Sequence, residues 1–411
     1  MHIDFYSFSD ISGGAARASY RIFKSISDLS IDCSMYVVNA LSDDKRIQVD
    51  CSKINILKSR INRYLAHLLT KTLVTSNSSL HSPAQFSTVK VNNINKSLAD
   101  IVHLNWICGE MISIKDIGKI SKPIVWTLHD MWPFCGAEHY SDNDRFVNGY
   151  TENNRPDEEK YFDLNKFVWR QKKKYWKYPI HIVGSTNWLA TCAKTSSLLK
   201  EFPVSVIHYP IDTSSWCPHD KSICRKLYNF PNDAKIILFG AIGGTADPRK
   251  GFDLLFSALK FIKNKKNIHL VIFGQSGVEN EENLEFPVHN VGHLYDDLSL
   301  IALYNAADVM VVPSRIEAFG QTALESESCG TPVVAFNICG FPDIIEHKVT
   351  GYLAKAFDPE DLAAGICWVL DHGEENNLSL NARNKVLKTF SSPLIAAQYV
   401  ELYKKILNKP S

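Results

Sequence analysis

The sequence lacks the features that mark several special classes of protein. Its 10 cysteines form no Cys-x-x-Cys pair and no cluster with histidines at metal-ligand spacing, so we expect free thiols rather than disulfides or structural zinc. The formal net charge of +1 excludes a globally basic nucleic-acid binder. No run of about 18 apolar residues occurs, which predicts that no helix spans a membrane.

The first residues, MHIDFYSFSDISGG, indicate a strand and lack the basic segment and apolar run of a secretory signal. Together with the expected free thiols, this favours a cytoplasmic location.

Short apolar runs alternate with helical patterns along all 411 residues, a length that predicts two domains of about 200 residues each. This alternation is typical of parallel sheets covered by helices on both faces, so the predicted class is α/β with two doubly wound domains. We place the domain boundary near Pro210, in the weakly periodic VIHYPIDTSSW, which gives domains 1–209 and 210–389. The predicted strands are 2–8, 33–38, 101–106, 124–129, 180–184 and 204–209, then 235–241, 269–274, 288–293, 308–314 and 331–336.

The stretch VVPSRIEAFGQTALESESCGTPVVA, residues 311–335, predicts a strand, a turn, a helix and a second strand. A helix that begins near Phe319 and Gly320 directs free N–H groups and the positive end of its dipole outward, which favours a phosphate. Glu317 in the turn and Glu325 in the helix flank that position. Two carboxylates beside an anion site suit a ligand with hydroxyls and phosphates, although the same acids are also typical of a solvated surface helix.

This Glu-x7-Glu stretch resembles the signature of the retaining glycosyltransferases of family 4. The resemblance implies the GT-B architecture, in which two Rossmann-like domains face each other across a cleft. It also implies that the C-terminal helix, 390–408, packs back on the first domain. In the family the first Glu contacts the hydroxyls of the donor sugar and the second binds the ribose, which assigns these roles to Glu317 and Glu325.

A second motif, FGAIGGTADPRKGF, has a Gly-rich turn before Arg249 and Lys250. Two cations stabilise the charge that develops on a departing diphosphate. The family has a Lys directly before a Gly, as Lys250 is here, and often an Arg six residues earlier. That position is Gly244 in this chain, so Arg249 is the predicted substitute.

Two loops of the first domain are further candidates. Gly13 and Gly14 follow the first predicted strand and suit close approach of a ligand, although tight turns also use glycine for steric reasons. His129 and Asp130 stand at the end of another strand. The resemblance places Gly13 and Gly14 over the donor phosphates and His129 beside the transferred sugar. Asp130 is suited to orienting His129, contacting the acceptor or capping the next turn.

The turn Gly292-His293-Leu294 is similar to the one that holds the nucleobase in the family through main-chain groups, so UDP- and GDP-linked donors both remain open. Asp142 and Asp144 form an Asp-x-Asp pattern that binds a metal in other glycosyltransferases. The pattern follows no strand, and Arg249 and Lys250 offer neutralisation without metal, so we expect no metal site and no cofactor.

The segment Lys53–Val74 alternates basic and apolar residues, a pattern typical of a helix on an anionic membrane surface and equally of a packed helix with a solvated cationic face. The run 169–179, WRQKKKYWKYP, is a second basic and aromatic cluster. A membrane-bound acceptor fits both segments better than a nucleic acid does, because nothing else resembles a base-reading module.

These features predict a metal-independent glycosyltransferase that moves a sugar from a nucleotide donor to an acceptor hydroxyl with retention. By analogy with the family, the acceptor is lipid-linked and the product a bacterial surface polysaccharide, made at the inner face of the cytoplasmic membrane. A nucleotide-sugar epimerase and a non-catalytic nucleotide-sugar-binding protein remain alternatives. An NAD-dependent oxidoreductase is disfavoured, because no strand is followed by Gly-x-Gly-x-x-Gly with an acid about 20 residues on.

Overall fold

The computed structural model describes residues 1–50, 52–177, 179–240, 247–263, 266–274 and 285–408. The chain divides into two compact units: unit 1 comprises Met1–Pro210 with Pro393–Ser411, and unit 2 comprises Ile211–Ser392. Within the described residues, no helix combines the length and the apolar character that a membrane crossing requires.

Unit 1 is built on a seven-stranded parallel sheet in the order β3-β2-β1-β5-β6-β8-β9, and a small antiparallel pair, β4-β7, lies outside it. Its elements are β1 (His2–Ser9), α1 (Gly14–Ser27), β2 (Asp32–Asn39), β3 (Ile47–Val49), α2 (Lys53–Thr70), β4 (Leu73–Val74), α3 (Val91–Lys96), β5 (Ile101–Leu104), α4 (Ile114–Ile117), β6 (Ile124–Leu128), α5 (Arg145–Asn148), β7 (Lys160–Tyr161), α6 (Leu164–Tyr175), β8 (His181–Gly184), α7 (Asn187–Thr195) and β9 (Val204–Val206).

Unit 2 is built on a six-stranded parallel sheet in the order β12-β11-β10-β13-β14-β15. Its elements are α8 (Lys221–Leu227), β10 (Lys235–Gly240), a 3-10 turn (Pro248–Lys250), α9 (Phe252–Leu259), β11 (Ile268–Phe273), β12 (Val288–Gly292), α10 (Asp297–Ala306), β13 (Val309–Val312), α11 (Gln321–Ser328), β14 (Val333–Phe336), α12 (Phe341–Ile344), β15 (Gly351–Ala354), α13 (Pro359–His372) and α14 (Leu378–Thr389). The helix α15 (Ser392–Leu407) then begins at the end of unit 2 and continues into unit 1.

The central strands are buried along their whole length, as expected for parallel strands covered on both faces. Strands β13 and β14 are completely buried, with Val, Met, Ala and Phe side chains. The predicted doubly wound class is therefore confirmed, although most strands end one to three residues inside the predicted bounds. Strands β3, β4, β7 and β15 were not predicted.

The last helix, α15, is fastened to the sheet of unit 1 by two buried tyrosines. The hydroxyl of Tyr403 lies 2.6 Å from Nδ1 of His103, and the hydroxyl of Tyr399 lies 2.9 Å from Oγ1 of Thr127. Because His103 and Thr127 are on β5 and β6, the end of the chain is part of the core of unit 1.

The stretch 141–160 is polar and rich in Asn, Asp and Glu, a composition that predicts one long loop, and this prediction is wrong in part. It contains α5, and Arg145 in that helix is buried. The Arg145 guanidinium lies 3.2 Å from the Glu159 carboxylate and 2.6 Å from that of Asp163. These buried charges order a segment whose polar composition resembled that of a solvated loop.

Candidate functional site

Two loops of unit 2 meet at the carboxyl ends of β10 and β13, and Arg315 joins them. Its backbone N–H donates to the Arg249 carbonyl at 2.7 Å, and its guanidinium donates to the Pro248 carbonyl at 2.8 Å. The same guanidinium holds the Asp253 carboxylate with two bonds of 2.8 and 2.6 Å, which lower the pKa of that carboxyl. The loop before α9 therefore has a fixed position against the loop before α11.

Gly251 is the point of closest approach between these loops. Its φ of +68° lies in the left-handed region, and a Cβ atom there would lie 1.9 Å from the carbonyl oxygen of Pro313. The glycine after Lys250 thus has a steric reason in this fold, which the sequence motif alone does not reveal.

This junction brings two predicted site residues together. The Lys250 ammonium lies 2.6 Å from a carboxylate oxygen of Glu317, and both side chains remain partly exposed. A partly exposed ion pair between two loops presents a positive and a negative group to the same ligand. The guanidinium of Arg249, in contrast, lies 2.6 Å from the carboxylate of Asp247. Asp247 was not among the residues predicted from the sequence. Gly244, the position at which the family often has an arginine, lies outside the described residues.

The helix α11 begins immediately after Gly320, and no side chain caps its first turn. Gly320 has a φ of +102°, and a Cβ there would lie 2.9 Å from the ring of Phe341, so the turn requires glycine. Phe319 is buried with its ring edge-on to Phe390. A donor contact at Phe319 would therefore come from its backbone, whereas the uncapped start of α11 is suited to an anion.

Glu325 lies one turn further along α11 and is 5% exposed. The hydroxyl of Tyr304 donates to its carboxylate at 3.1 Å. A hydrogen bond from a buried tyrosine fixes the direction of the carboxylate, and Tyr304 is a positioning residue that the sequence did not reveal.

The turn after β12 contains the predicted nucleobase contacts. Gly292 has a φ of +76°, and its carbonyl oxygen accepts a hydrogen bond from the N–H of Gly274 at 2.8 Å. Leu294 follows the strand and is partly exposed. Both residues stand at the carboxyl edge of the sheet of unit 2, the edge that also bears Lys250 and Glu317.

In unit 1 the loop between β1 and α1 contains Gly13, with a φ of +89°, at the N-cap of α1, and Gly14 is the first residue of that helix. No side chain caps the helix. The buried Asp10 accepts backbone N–H groups from Leu41 and Ser42. Although burial opposes the charged form, these hydrogen bonds lower the pKa of Asp10, so a stable carboxylate joins this loop to the one after β2.

His129 follows β6 and is buried, with both ring nitrogens engaged. Nδ1 lies 2.6 Å from the Tyr209 hydroxyl, and Nε2 lies 3.1 Å from Oδ1 of Asn105 and 3.2 Å from Oγ of Ser19. Burial lowers the pKa of His129 to about 4, so the ring is neutral at pH 7. A direct bond to a sugar hydroxyl would require His129 to exchange one of these partners.

Asp130 caps the following turn, one of the three roles considered from the sequence. Its carboxylate accepts the N–H of Trp132 at 3.0 Å, the indole N–H of Trp106 at 2.9 Å and Nδ1 of His139 at 2.6 Å. These bonds order the segment 130–139. His139 was missed because a single histidine carries no distinctive pattern.

The Asp-x-Asp pattern lies just before α5. The Asn143 side chain accepts the backbone N–H of Arg145 at 3.1 Å. Across the part of the chain that the structure describes, no three His, Cys, Asp or Glu side chains form a group able to hold a metal.

The basic segment Lys53–Val74 forms α2 and the short strand β4, and the structure shows which face of α2 packs. The buried residues are Ser59, Asn62 and Ala66. The apolar side chains point away from unit 1 and are exposed by 37 to 81%: Ile54, Ile56, Leu57, Ile61, Tyr64, Leu65 and Leu68. The alternative of a helix packed through its apolar face is therefore wrong.

The cluster 169–179 buries its two tryptophans and one lysine, whereas its other cations, Arg170, Lys173, Lys174 and Lys177, are exposed. Trp169 and Trp176 are buried, and Lys172 is fully enclosed. The Lys172 ammonium donates to the carbonyls of Cys135, at 3.1 Å, and Gly136, at 2.7 Å, and lies 3.7 Å from the centre of the Trp132 ring. Burial lowers the pKa of Lys172 to about 7. Trp169, Lys172 and Trp176 therefore belong to the core of unit 1, and contact of the exposed cations with a membrane surface stays a prediction.

Residues 220–385, which lie within unit 2, match the family described as "Glycosyl transferases group 1". The D-inositol 3-phosphate glycosyltransferase of Mycolicibacterium gilvum is 31% identical over 171 residues, which are 38% of this chain and 37% of that protein. The chain matches about half or less of the length of its curated relatives.

Two solved structures match over nearly the full chain. HepE of Anabaena in complex with UDP-glucose has a TM-score of 0.65 at 17% identity and covers 98% of this chain and 100% of its own. WaaG, described as a glycosyltransferase involved in lipopolysaccharide biosynthesis, has a TM-score of 0.64 at 16% identity and covers 98% and 99%. At this level of identity the likeness establishes the fold, and the fold is GT-B with two Rossmann-like domains.

Proposed function

We propose that this chain is a glycosyltransferase that moves a sugar from a nucleotide-sugar donor to an acceptor hydroxyl with retention at the anomeric carbon. The observation that carries this proposal is the contact of Lys250 with Glu317 beside the uncapped start of α11. A cation, a carboxylate and the positive end of the α11 dipole together suit a diphosphate bonded to a sugar. All three lie in the stretch that matches the group 1 family.

The chemistry assigned to these groups follows from their charge. The bond between the anomeric carbon and the diphosphate oxygen breaks, and Lys250 and Arg249 stabilise the negative charge that grows on the diphosphate. The departing diphosphate helps to take the proton of the acceptor hydroxyl. Because two cations supply this neutralisation, we propose that transfer needs no divalent metal and no cofactor. UDP- and GDP-linked donors both fit this scheme.

The remaining roles are assigned by resemblance. Glu317 and His129 hold the transferred sugar and Glu325 holds the ribose, whose position is supported by the fixed direction of the Glu325 carboxylate. The loops at Gly14 and Gly320 receive the phosphates. Main-chain groups from Gly292 to Leu294 receive the base.

The proposed setting is the synthesis of a bacterial surface polysaccharide on a lipid-linked acceptor at the membrane surface. The outward apolar face of α2 supports this, because Leu57 is 59% and Tyr64 62% exposed. Lys53, Arg60 and Lys71 are exposed on the same helix. Apolar residues between cations are the pattern of a helix that lies in an anionic interface. The described role of WaaG agrees with this setting.

The experiment uses purified full-length protein, a panel of UDP- and GDP-sugars, and EDTA. Thermal shift reports donor binding, and the slow release of nucleotide reports turnover. We expect one donor to stabilise the wild type without metal, and Lys250→Ala and Glu317→Ala to remove that effect. Lys235→Ala is the control, since Lys235 forms an exposed pair with Asp371 at 2.9 Å in the same unit. That control is expected to bind the donor normally.

The other outcomes separate the alternatives. Binding that requires a divalent metal would overturn the two-cation scheme and make Asp142 and Asp144 the residues to test. Conversion of the donor sugar without acceptor would indicate an epimerase. Binding without any release of nucleotide would indicate a binding protein, and nicotinamide absorbance in the purified protein would indicate an oxidoreductase.

A further inference from the structure

Unit 1 contains a large cavity that the donor assignments do not use. It has a volume of about 1010 Å³ and lies among β1, β2, β3, α2 and α3. Small-molecule sites in proteins commonly occupy about 300–1,000 Å³, so this cavity is large enough for one or two sugar rings with substituents. All of its lining residues belong to unit 1.

Aromatic rings form one wall of the cavity. Tyr6 and Tyr36, on adjacent strands, stack with ring centroids 5.1 Å apart and planes inclined by 13°. Phe8 also lines the cavity, and the Arg63 guanidinium lies 5.9 Å from the centre of its ring. Flat aromatic surfaces suit the apolar face of a sugar ring, and their hydroxyl groups suit its polar edge.

The opposite wall is cationic. Arg60 and Arg63 of α2 and Lys90 and Lys96 at α3 line it. Among the described lining residues, Asp50 is the one carboxylate. It accepts hydrogen bonds from the backbone N–H of Ser52 at 3.0 Å and from Nδ2 of Asn55 at 2.6 Å. With four cations and one carboxylate, this wall has a net positive charge, which favours an anionic ligand.

Two buried hydroxyl groups stand in the same wall. Ser59 on α2 and Thr88 before α3 are each 4% exposed, and neither side-chain oxygen has a hydrogen-bond partner in the described part of the chain. Buried polar groups in native proteins normally have a partner. Ser59 and Thr88 thus add two unpaired hydroxyl groups to the wall that bears Arg60 and Lys90.

We propose that this cavity is a second ligand site and that it binds a saccharide bearing a phosphate group, with the ring on Tyr36 and the phosphate against Arg60 and Lys96. The outward apolar face of α2 adjoins the cavity, so a saccharide phosphate attached to a lipid reaches it from the membrane surface. That this ligand is the acceptor of the transferred sugar rests on the function proposed above.

Calorimetric titration of the full-length protein at low salt tests the site with glucose 1-phosphate and mannose 1-phosphate. Glucose and inorganic phosphate are titrated separately, as the sugar part and the phosphate part of these ligands. We expect a hexose phosphate to bind at least tenfold more tightly than glucose or inorganic phosphate alone. The double variant R60Q/K96Q is expected to bind the hexose phosphate at least tenfold more weakly than the wild type. The matched control is K53Q/K71Q, two cations of α2 that do not line the cavity. Tyr36→Leu is expected to lower the affinity for the hexose phosphate and to leave the affinity for inorganic phosphate unchanged.

The proposal is overturned if no hexose phosphate binds, if R60Q/K96Q binds normally, or if the control loses as much affinity. Displacement of the sugar phosphate by plain phosphatidylglycerol vesicles would assign the cavity to a lipid head group instead. Donor thermal shift on the same variants separates this inference from the proposed function. A protein that binds hexose phosphate but no nucleotide sugar would reject the function and retain the site. The reverse result would reject the site.

Discussion

The ammonium of Lys250 lies 2.6 Å from the carboxylate of Glu317, although 67 residues separate them in sequence. The pair connects the loop after β10 to the loop after β13, two neighbouring strands of one sheet. A partly exposed pair of this kind contributes on the order of 1 kcal/mol or less to stability, and its proposed importance is therefore in binding the donor.

We predict that Lys250→Ala lowers sugar transfer by on the order of 10²-fold or more, because the diphosphate loses its principal cation. The melting temperature is expected to change little. Steady-state kinetics with the donor found in the thermal-shift panel measure the effect. Full activity in Lys250→Ala would contradict the assignment, and recovery in Lys250→Arg would show that charge at this place is what matters.

Gly251 gives a prediction about stability. The variant Gly251→Ala combines a positive φ with a Cβ 1.9 Å from the Pro313 carbonyl, so we expect a loss of at least about 3 kcal/mol in the free energy of unfolding. Gly292→Ala is the matched control, since its φ of +76° is similar but nothing lies within 4 Å of the added Cβ. That control is expected to lose roughly 1–2 kcal/mol. Urea unfolding measures both, and equal losses would mean that the loops adjust.

The sequence predicted the class of fold and singled out Lys250 and Glu317 separately, and the structure brings the two together because parallel strands have their carboxyl ends at one edge of a sheet. It could not predict the residues that fix these loops. Arg315 and Asp253 act through bonds between segments far apart in the chain, and no local pattern encodes such a contact. Tyr304, which orients Glu325, was missed for the same reason.

Two basic amphipathic segments looked alike in sequence and differ in the structure. Periodicity locates an apolar stripe, but it does not tell which side of a helix faces the protein. In α6 the tryptophans and Lys172 are buried, because backbone carbonyls surround the ammonium. In α2 the small and polar residues Ser59 and Ala66 face inward, which leaves the leucines outside.

His129 gives a prediction about pH. Its folded pKa of about 4 lies below its ordinary value of 6.5, so protons bind the unfolded chain more readily. Its contribution to stability is therefore complete above about pH 6.5 and is lost as the pH falls toward 4, by about 2 kcal/mol between pH 6.5 and 5. Unfolding curves of the wild type and His129→Asn at pH 7.5 and 5 isolate this contribution. We expect the difference between the two proteins to shrink at pH 5, and a constant difference would contradict the assigned burial effect.

The exposed face of α2 gives the last prediction. Because Leu57 and Leu68 are 59% and 43% exposed, replacing both with Ser removes little packing, and we expect the melting temperature to stay the same or rise slightly. Flotation with phosphatidylglycerol vesicles is expected to show a clear loss of binding in this variant, since each leucine buried in the interface is worth about 1.5–3 kcal/mol. The variant K53Q/K71Q is expected to lose binding to anionic vesicles as well, because each cation contributes about 1 kcal/mol near such a surface. Neutral phosphatidylcholine vesicles separate the two effects: the leucine variant loses binding there too, whereas the lysine variant matches the wild type. Unchanged vesicle binding in the leucine variant would contradict membrane association through α2, and the apolar face would then have to be covered by another protein surface.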